Sequence, residues 1–306
     1  MYKYFNLKDI NKQIDRDLYK FMLDIESRYR GQLFNVVNKA LGKNNKVDVI
    51  LLSGESCAGK TTTAKLLKQI LEAKGRNVDV ISMDDFFLDL DKRPKLPNGE
   101  LDFDSPNVLN YPLMEECFSK YFKGEKVYFP EYDFKNSKSV PNAKPYKKKH
   151  NSIVIFEGIH VLNPKVLSHM GTPHYFKVFA SPLNSFKIGD KVLTTKNLRL
   201  LRRTLRDVQR RNTSPEKTRD MWQGVIDVEE KYIDPYKNKV DYYVSTTHEY
   251  ELGVFKTEAE RLIKEGKLKK EDIPFVEFLD NINPISQSLL PDTSLMWEFI
   301  DKIDEE

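Results

Sequence analysis

The amino-acid sequence predicts a three-layer α/β/α protein with a mainly parallel central sheet, a helical lid and helical N- and C-terminal extensions. Short apolar runs of the kind that form buried parallel strands alternate with longer helical patterns. A glycine-rich loop joins the first of these runs to a helix, as in a strand–loop–helix–strand unit. The predicted strands cover residues 47–52, 78–82, 126–130, 152–156, 175–180 and 240–245.

The chain opens with a helix predicted over residues 10–42, in which apolar side chains recur at helical spacing between charged ones. Residues 43–45 follow Gly42 and are expected to end this helix. Its apolar stripe either packs on the rest of the chain or pairs with a second subunit. A homo-oligomer is therefore one of two expectations.

The remaining elements follow from the same patterns. Residues 88–106 are rich in proline, glycine and aspartate and predict a loop, and the polar and basic residues 135–150 predict a mobile loop. Further helices are predicted over residues 61–73, 109–122, 197–211 and 214–235, with helical patches broken by prolines after residue 258. We expect an N-terminal helical extension (1–45), a central domain (46–250) with a lid at about 187–215, and a C-terminal helical extension (251–306) packed on that domain.

Residues 54–61 match the pattern G-x-x-x-x-G-K-[ST] of a phosphate-binding P-loop and lie between a predicted strand and a predicted helix. The loop comprises Gly54, Glu55, Ser56, Cys57, Ala58, Gly59, Lys60 and Thr61, and Thr62 follows it in the first turn of the helix. Glycines let backbone N–H groups turn toward phosphate oxygens, and the start of the helix favours an anion. Lys60 is expected to reach the terminal phosphates and the Thr61 hydroxyl to bind Mg²⁺. The sequence therefore predicts a P-loop NTPase fold that binds ATP and Mg²⁺.

The second strand ends in Ser82-Met83-Asp84-Asp85. The carboxyl ends of parallel strands line the ligand crevice of such sheets. A carboxylate on this neighbouring strand can accept the proton of an attacking hydroxyl, as a kinase requires and a switch GTPase does not. Two solvated acids at a strand end are the alternative.

Five further short motifs follow the phosphate-binding loop along the chain. They are Asp84-Asp85-Phe86-Phe87, Asp102-Phe103-Asp104-Ser105-Pro106, Tyr132-Asp133-Phe134, Phe156-Glu157-Gly158-Ile159-His160 and Arg202-Arg203-Thr204-Leu205-Arg206-Asp207. With residues 54–61, they resemble the uridine kinase and phosphoribulokinase family of P-loop kinases. The likeness extends from about Val47 to Val244 and is closest to a bacterial subgroup of longer uridine-kinase-like proteins.

The resemblance implies a reaction in which ATP donates its γ-phosphoryl group to the 5′-hydroxyl of uridine or cytidine, as in pyrimidine salvage. It implies that Asp84 is the catalytic base and, with Thr61 and Glu157, contributes to the Mg²⁺ site. Asp104 matches a carboxylate that holds the ribose hydroxyls, and Tyr132 and Phe134 match aromatics of the nucleoside pocket. From the residues alone, Asp104 could instead form a turn and the two aromatics could pack in the core.

The predicted helix over 197–211 carries the arginines of the lid. Arg203, Arg206 and Arg211 match family residues that approach the phosphates and the acceptor, where mobile cations would stabilise the transferring group. We expect Arg199, Arg202 and Arg210 to form a solvated basic face, because leucines occupy the opposite side of this helix.

Two positions differ from the residues that the family has near the base, so the identity of the phosphoryl acceptor stays open. Ser137 stands where short uridine kinases have a histidine that reads the base, and Phe87 replaces a tyrosine near the base. The alternatives are another small-molecule alcohol, such as a different nucleoside, a sugar phosphate or a pantothenate-like compound, and a non-catalytic ATP-binding module.

Composition and residue spacing bear on the partners, the location and the metal content to be expected. The 50 basic and 46 acidic residues nearly balance, so no nucleic-acid partner is expected. No apolar run suits a targeting signal or a membrane span, which favours a cytoplasmic protein without a membrane partner. The five histidines show no metal-ligand spacing, and Cys57 and Cys117 are expected to be reduced thiols, Cys57 as a small residue that fits the tight loop.

Overall fold

The structure, a computed structural model, describes residues 4–42, 46–96 and 99–302. The helices are α1 Leu7–Ala40, α2 Lys60–Ala73, α3 Tyr111–Phe122, α4 Pro164–Leu167, α5 Thr195–Arg210, α6 Pro215–Tyr232, α7 Asp234–Lys237, α8 Glu251–Lys264 and α9 Val276–Asp280. The strands are β1 Tyr4–Asn6, β2 Val49–Ser53, β3 Asn77–Ser82, β4 Val127–Asp133, β5 Lys138–Tyr146, β6 Ser152–Glu157, β7 Tyr175–Ser181, β8 Ser185–Ile188, β9 Lys191–Leu193 and β10 Tyr242–Ser245.

A parallel sheet forms the centre of the fold, in the strand order β10-β7-β2-β6-β3 over the described residues. This confirms the predicted α/β class with a mainly parallel sheet. Strand β3 follows β2 along the chain, but β6 lies between them, so the expectation that these two strands are neighbours is wrong. Because all these strands run the same way, Ser82 and Glu157 lie side by side at the carboxyl edge.

Side chains of the central strands point alternately to two apolar cores, one on each face of the sheet. Ile50 and Leu52 belong to the core shared with α1, α2, α5 and α8. Val49 and Leu51 belong to the core shared with α3 and the β4–β5 hairpin. Every residue of β2 and β6 is buried, as expected for parallel strands covered on both faces.

The N-terminal helix packs on the rest of the chain. Leu33, Val36 and Val37 of α1 are fully buried and belong to the same core as α2. The strand before the helix, β1, pairs in parallel with β8. The apolar stripe is thus used within the chain, which is one of the two expected arrangements. Residues 43–45, predicted to end this helix, lie outside the described residues.

Residues 135–150 do not form a mobile loop as predicted, because β5 lies within them and pairs with β4 in an antiparallel hairpin. Their polar and basic composition predicts a loop, and Pro141 and Pro145 lie within the strand. The strand has a neighbour on one side and is mostly exposed, a position in which proline and lysine are tolerated. Lys144 of β5 binds Asp85 at 3.0 Å, which fixes the hairpin above the end of β3.

The C-terminal residues return to the start of α2. Leu295 and Met296 are fully buried in the core that contains α2. Among the residues described, no helix combines the length and the apolar character that crossing a membrane requires.

Candidate active site

The phosphate loop connects β2 to α2 in a conformation that requires glycine at both of its ends. A Cβ atom on Gly54 would lie 2.1 Å from the Ala180 carbonyl oxygen. Gly59 has φ +91° and caps α2, and a Cβ there would lie 2.7 Å from Leu295. Cys57 is buried and has φ +57°, which fits its predicted role as a small residue in a tight loop. The glycines thus hold the backbone in the turn that the P-loop pattern predicts.

Lys60 and Thr61 lie where the loop meets the cavity of the site. The Lys60 ammonium donates hydrogen bonds to the Gly54 and Glu55 carbonyl oxygens, at 3.0 and 2.9 Å. Thr61 lines the same cavity. The amide of Thr62, in the first turn of α2, donates to the Glu298 carboxylate at 2.9 Å.

Two carboxyl groups at the carboxyl edge of the sheet face this loop. Asp84 lies in a short 3₁₀ turn directly after β3, and Glu157 ends β6. Burial raises the pKa of Glu157 to about 7, with a further contribution from the Asp84 carboxylate. Burial also raises the pKa of Asp84, against the opposing effects of Lys60 and Arg211. A cation bound between the two acids would offset the cost of burying them and favour their ionised forms.

Mg²⁺ fits this donor set. Within the described ranges, no three His, Cys, Asp or Glu side chains come close enough together to hold a metal ion on their own. Mg²⁺ commonly binds through one or two carboxylates together with substrate phosphates and water. The Thr61 hydroxyl and the carboxylates of Asp84 and Glu157 line one cavity and match that requirement.

A cavity of about 310 Å³ extends from these groups toward the β4–β5 hairpin. Aromatic rings line its far part, with centroid distances of 5.5 Å for Phe87–Tyr132 and 5.1 Å for Tyr132–Phe134. Tyr132 is buried, whereas Phe134 is 52% exposed and is not a core residue. Ser137 also lines this cavity.

Asp104 lines the cavity, and the turn around it is formed by a different residue. Asp102 accepts hydrogen bonds from the amides of Asp104 and Ser105, at 3.2 and 2.9 Å. Burial raises the pKa of Asp104, and Arg203 opposes this rise most strongly. The Asp104 side chain is therefore available to a molecule in the cavity.

Arg93 also lines this cavity, although the sequence did not predict it as a site residue. Its guanidinium group is 5.0 Å from the centre of the Phe87 ring, 5.3 Å from Tyr132 and 5.6 Å from Phe103. It donates a hydrogen bond to the Tyr132 hydroxyl at 2.8 Å. Arg93 lies in the predicted loop over residues 88–106, which has neither helical nor strand periodicity. The only local signal is a single arginine beside Pro94, and this does not indicate a binding site.

The three predicted lid arginines gather around one aspartate. Asp207 forms ion pairs with Arg203, Arg206 and Arg211, at 3.3, 2.6 and 3.7 Å. Arg203 also donates to the Ser56 hydroxyl of the phosphate loop at 3.0 Å. All three arginines line the cavity, and Asp207 holds them there.

The expectation of a solvated face for Arg199 and Arg202 is wrong. Arg199 is 3% exposed, pairs with Glu229 at 2.6 Å and donates to the Ser56 carbonyl oxygen at 3.1 Å. Arg202 is fully buried and pairs with Glu251 at 2.7 Å. Their partners come from α6 and α8, so the pattern of α5 alone could not reveal them.

Arg210 is exposed, as expected, but it is not solvated on all sides. It donates hydrogen bonds to the carbonyl oxygens of Trp297, Glu298 and Ile300, at 2.9, 3.1 and 2.7 Å. It also pairs with Asp301 at 2.7 Å. Arg210 therefore anchors the C-terminal segment beside the site.

The parallel sheet, the phosphate loop and the facing acids and arginines define a P-loop kinase, a phosphotransferase that acts on an alcohol group. The chain belongs to the phosphoribulokinase / uridine kinase family, whose model matches residues 49–252.

The chain is similar to several curated uridine kinases. It is 25% identical to the uridine kinase of Halobacterium salinarum over 191 residues, which are 62% of this chain and 76% of that protein. It is 25% identical to the uridine kinase of Vibrio campbellii over 230 residues, 73% of this chain and 100% of that protein. A solved structure of a possible uridine kinase from Bacillus stearothermophilus is 15% identical with a TM-score of 0.46, covering 71% of this chain and 98% of that one.

Proposed function

We propose that this chain is a nucleoside kinase that transfers the γ-phosphoryl group of ATP, with Mg²⁺, to the 5′-hydroxyl of uridine or cytidine. One observation carries the proposal: Asp84, Lys60 and Asp104 line a single cavity of about 310 Å³. A base, a phosphate-binding cation and a ribose-binding carboxylate are thus available to one bound acceptor. The similarity to curated uridine kinases supports the nucleoside as acceptor.

Each residue near the phosphates has a proposed role in the transfer. The loop amides and Lys60 would hold the β- and γ-phosphates, and Thr61, Asp84 and Glu157 would hold Mg²⁺, which would shield the phosphate charge. The acceptor oxygen attacks the γ-phosphorus, the bond to the bridging oxygen breaks, and ADP leaves. Asp84 takes the hydroxyl proton as the new bond forms.

The lid arginines stabilise the charge that develops during this transfer. Arg203 and Arg206 face the phosphate loop and would contact the equatorial oxygens of the transferring group. Arg211, which also lines the cavity, would contact the donor phosphates. Asp207 orients all three arginines and is a positioning residue rather than a catalytic one.

The nucleoside would occupy the far part of the cavity. Asp104 would accept hydrogen bonds from the ribose hydroxyls, and the rings of Phe87, Tyr132 and Phe134 would pack against the base. This assignment predicts that Asp104→Asn raises KM for uridine far more than KM for ATP.

Arg93 favours a second candidate, an alcohol with an anionic group such as a sugar phosphate or a pantothenate-like carboxylate. Its guanidinium lines the acceptor part of the cavity, 5.0 Å from the centre of the Phe87 ring and 5.3 Å from that of Tyr132. A guanidinium binds phosphate and carboxylate through paired hydrogen bonds. A neutral nucleoside has no group that requires this charge.

An acceptor panel tests both candidates through acceptor-stimulated ADP release. Uridine and cytidine are compared with a purine nucleoside, a pentose phosphate and pantothenate, for the wild type and for Arg93→Met. The proposal expects the highest kcat/KM with a pyrimidine nucleoside and a similar preference in Arg93→Met. Activity only on an anionic alcohol, lost in Arg93→Met and partly kept in Arg93→Lys, would favour the second candidate. ATP binding without acceptor-stimulated turnover on any compound would favour a non-catalytic module.

A further inference from the structure

The C-terminal segment, residues 291–302, lies against the start of α2, outside the range that the family model matches. Leu295 is fully buried and lies against Gly59, the residue that caps α2. The indole N–H of Trp297 donates to the Pro291 carbonyl oxygen at 2.8 Å, which closes the segment on itself. Together with the Arg210 anchor, these contacts give the segment a defined path past the phosphate loop.

The segment brings one carboxylate to the phosphate loop. Glu298 accepts a hydrogen bond from the amide of Thr62 at 2.9 Å. Thr62 is the third residue of α2, so its N–H has no acceptor within the helix. Amides at this position in a P-loop are the groups that cradle donor phosphates. The carboxylate therefore occupies a hydrogen-bond donor that the nucleotide needs.

A second cavity adjoins the first at this point. It has a volume of about 400 Å³ and is lined by Thr61, Thr62, Arg206, Arg211, Trp297 and Glu298, among others. Glu298 and Thr61 also line the 310 Å³ cavity of the active site. Glu298 thus stands at the junction of the two cavities, where a nucleotide that spans them would place its phosphates.

We propose that Glu298 determines the affinity of the donor site, because a donor phosphate must displace its carboxylate from the Thr62 amide. Two anions cannot share one N–H group at hydrogen-bond distance without strong repulsion. The released carboxylate moves toward the second cavity, and the segment around it stays anchored by Arg210. This inference rests on the proposed ATP donor and is independent of the acceptor.

The test measures binding of ATP and of inorganic tripolyphosphate, with Mg²⁺, by isothermal titration calorimetry. Glu298→Gln keeps the size of the side chain and removes the competing charge. The wild type must break the charge-assisted hydrogen bond between Glu298 and the Thr62 amide before a phosphate can bind there. Because Glu298→Gln weakens this bond, we expect Kd for both ligands to fall about tenfold. Glu298→Asp, which keeps the charge but draws it back by one methylene, should show a smaller fall in Kd.

Asp280→Asn is the control, because Asp280 is an exposed carboxylate that pairs with Lys270 at 2.8 Å and lines neither cavity. It should change Kd for ATP less than twofold. An unchanged or weaker affinity in Glu298→Gln would overturn the proposal and leave Glu298 as a structural cap. Equal tightening in Asp280→Asn would also overturn it, since any lost negative charge would then suffice. No acceptor is added, so the result does not depend on whether uridine is the substrate.

Discussion

At the residue scale, Asp84 and Asp85 are adjacent in sequence but face different partners. Asp84 lines the cavity with Lys60. Asp85 accepts from the Tyr132 amide at 3.2 Å and pairs with Lys144 at 3.0 Å, so it is used in holding the β4–β5 hairpin. This difference in surroundings gives the proposed base a control of the same residue type.

We expect Asp84→Asn to lower kcat by about 10²–10⁴-fold, because the acceptor proton loses its base. Kd for ATP measured without Mg²⁺ should change little, since the loop amides and Lys60 remain. Steady-state kinetics with the best acceptor and calorimetry with ATP measure the two effects. Asp85→Asn should lower kcat much less. Near-normal turnover in Asp84→Asn would show that another group takes the proton.

A second prediction concerns Glu157, whose pKa burial raises from 4.5 to about 7. The folded protein then keeps a proton between about pH 4.5 and 7 that the unfolded chain releases, so this residue's contribution to stability falls as pH rises through that window. Glu157→Gln should therefore be more stable than the wild type above pH 7, by up to about 3 kcal/mol, and gain little at pH 4.5. Denaturant unfolding across this range measures the difference.

The exposed Glu125 provides the comparison for this experiment. Glu125→Gln should have a stability difference from the wild type that does not change with pH. A stability difference for Glu157→Gln that is equally flat would contradict the raised pKa. The same ionisation should favour Mg²⁺ and therefore ATP binding above pH 7.

The residues of the site differ in how far sequence alone could predict them. The loop at 54–61, Asp84 and Glu157 belong to short local motifs, each of which can be recognised from a few neighbouring positions. Arg93 and Glu298 act through partners 39 and 236 residues away in the chain. No local pattern encodes such pairs, and only the folded chain brings them to the site.

At the element scale, α5 connects the phosphate loop to α6 and α8 through buried arginines. Arg202 pairs with Glu251 of α8 and donates to the Cys57 carbonyl oxygen at 3.3 Å. The strong amphipathic pattern of α5 predicted the helix correctly but assigned Arg199 and Arg202 to solvent. Their burial depends on acids that other helices supply, which a helical pattern does not contain.

We expect Arg202→Met to destabilise the fold by about 3–5 kcal/mol, because it leaves the Glu251 carboxylate buried without a cationic partner. Denaturant unfolding monitored by circular dichroism measures this loss. Adding Glu251→Gln to the variant should restore part of it.

Lys196→Met is the control on the same helix, because Lys196 forms an exposed pair with Glu230 at 3.3 Å. Such surface pairs contribute about 0–1 kcal/mol. Equal losses in the Lys196 and Arg202 variants would mean that burial of the Arg202–Glu251 pair has no special energetic role.

At the scale of the whole molecule, the three segments expected from the sequence share one apolar core. Leu33 of α1, Leu67 of α2 and Phe299 of the C-terminal segment are all fully buried in it. We propose that the extensions and the central domain unfold together. Sequence predicted the helices of the extensions but could not decide what covers them, because an apolar stripe fits any apolar partner.

Adjacent residues of α1 test this proposal. Leu33→Ala should lower the free energy of unfolding by about 2–5 kcal/mol, as for a large side chain removed from a packed core. Phe34 is 48% exposed, and Phe34→Ala should cost no more than about 0.5 kcal/mol. Both variants should unfold in one transition that removes helix signal and nucleotide binding together. An early separate transition in Leu33→Ala would show that α1 melts independently.

Arg210 holds the C-terminal segment by main-chain oxygens of Trp297, Glu298 and Ile300. Every amino acid offers the same oxygen, so these three hydrogen bonds do not depend on the identity of the side chains at 297, 298 and 300. A substitution at 298 can therefore leave the path of the segment past the loop unchanged. With the role proposed for Glu298, a change of this one side chain would alter the affinity for nucleotide while the backbone that carries it stays in place.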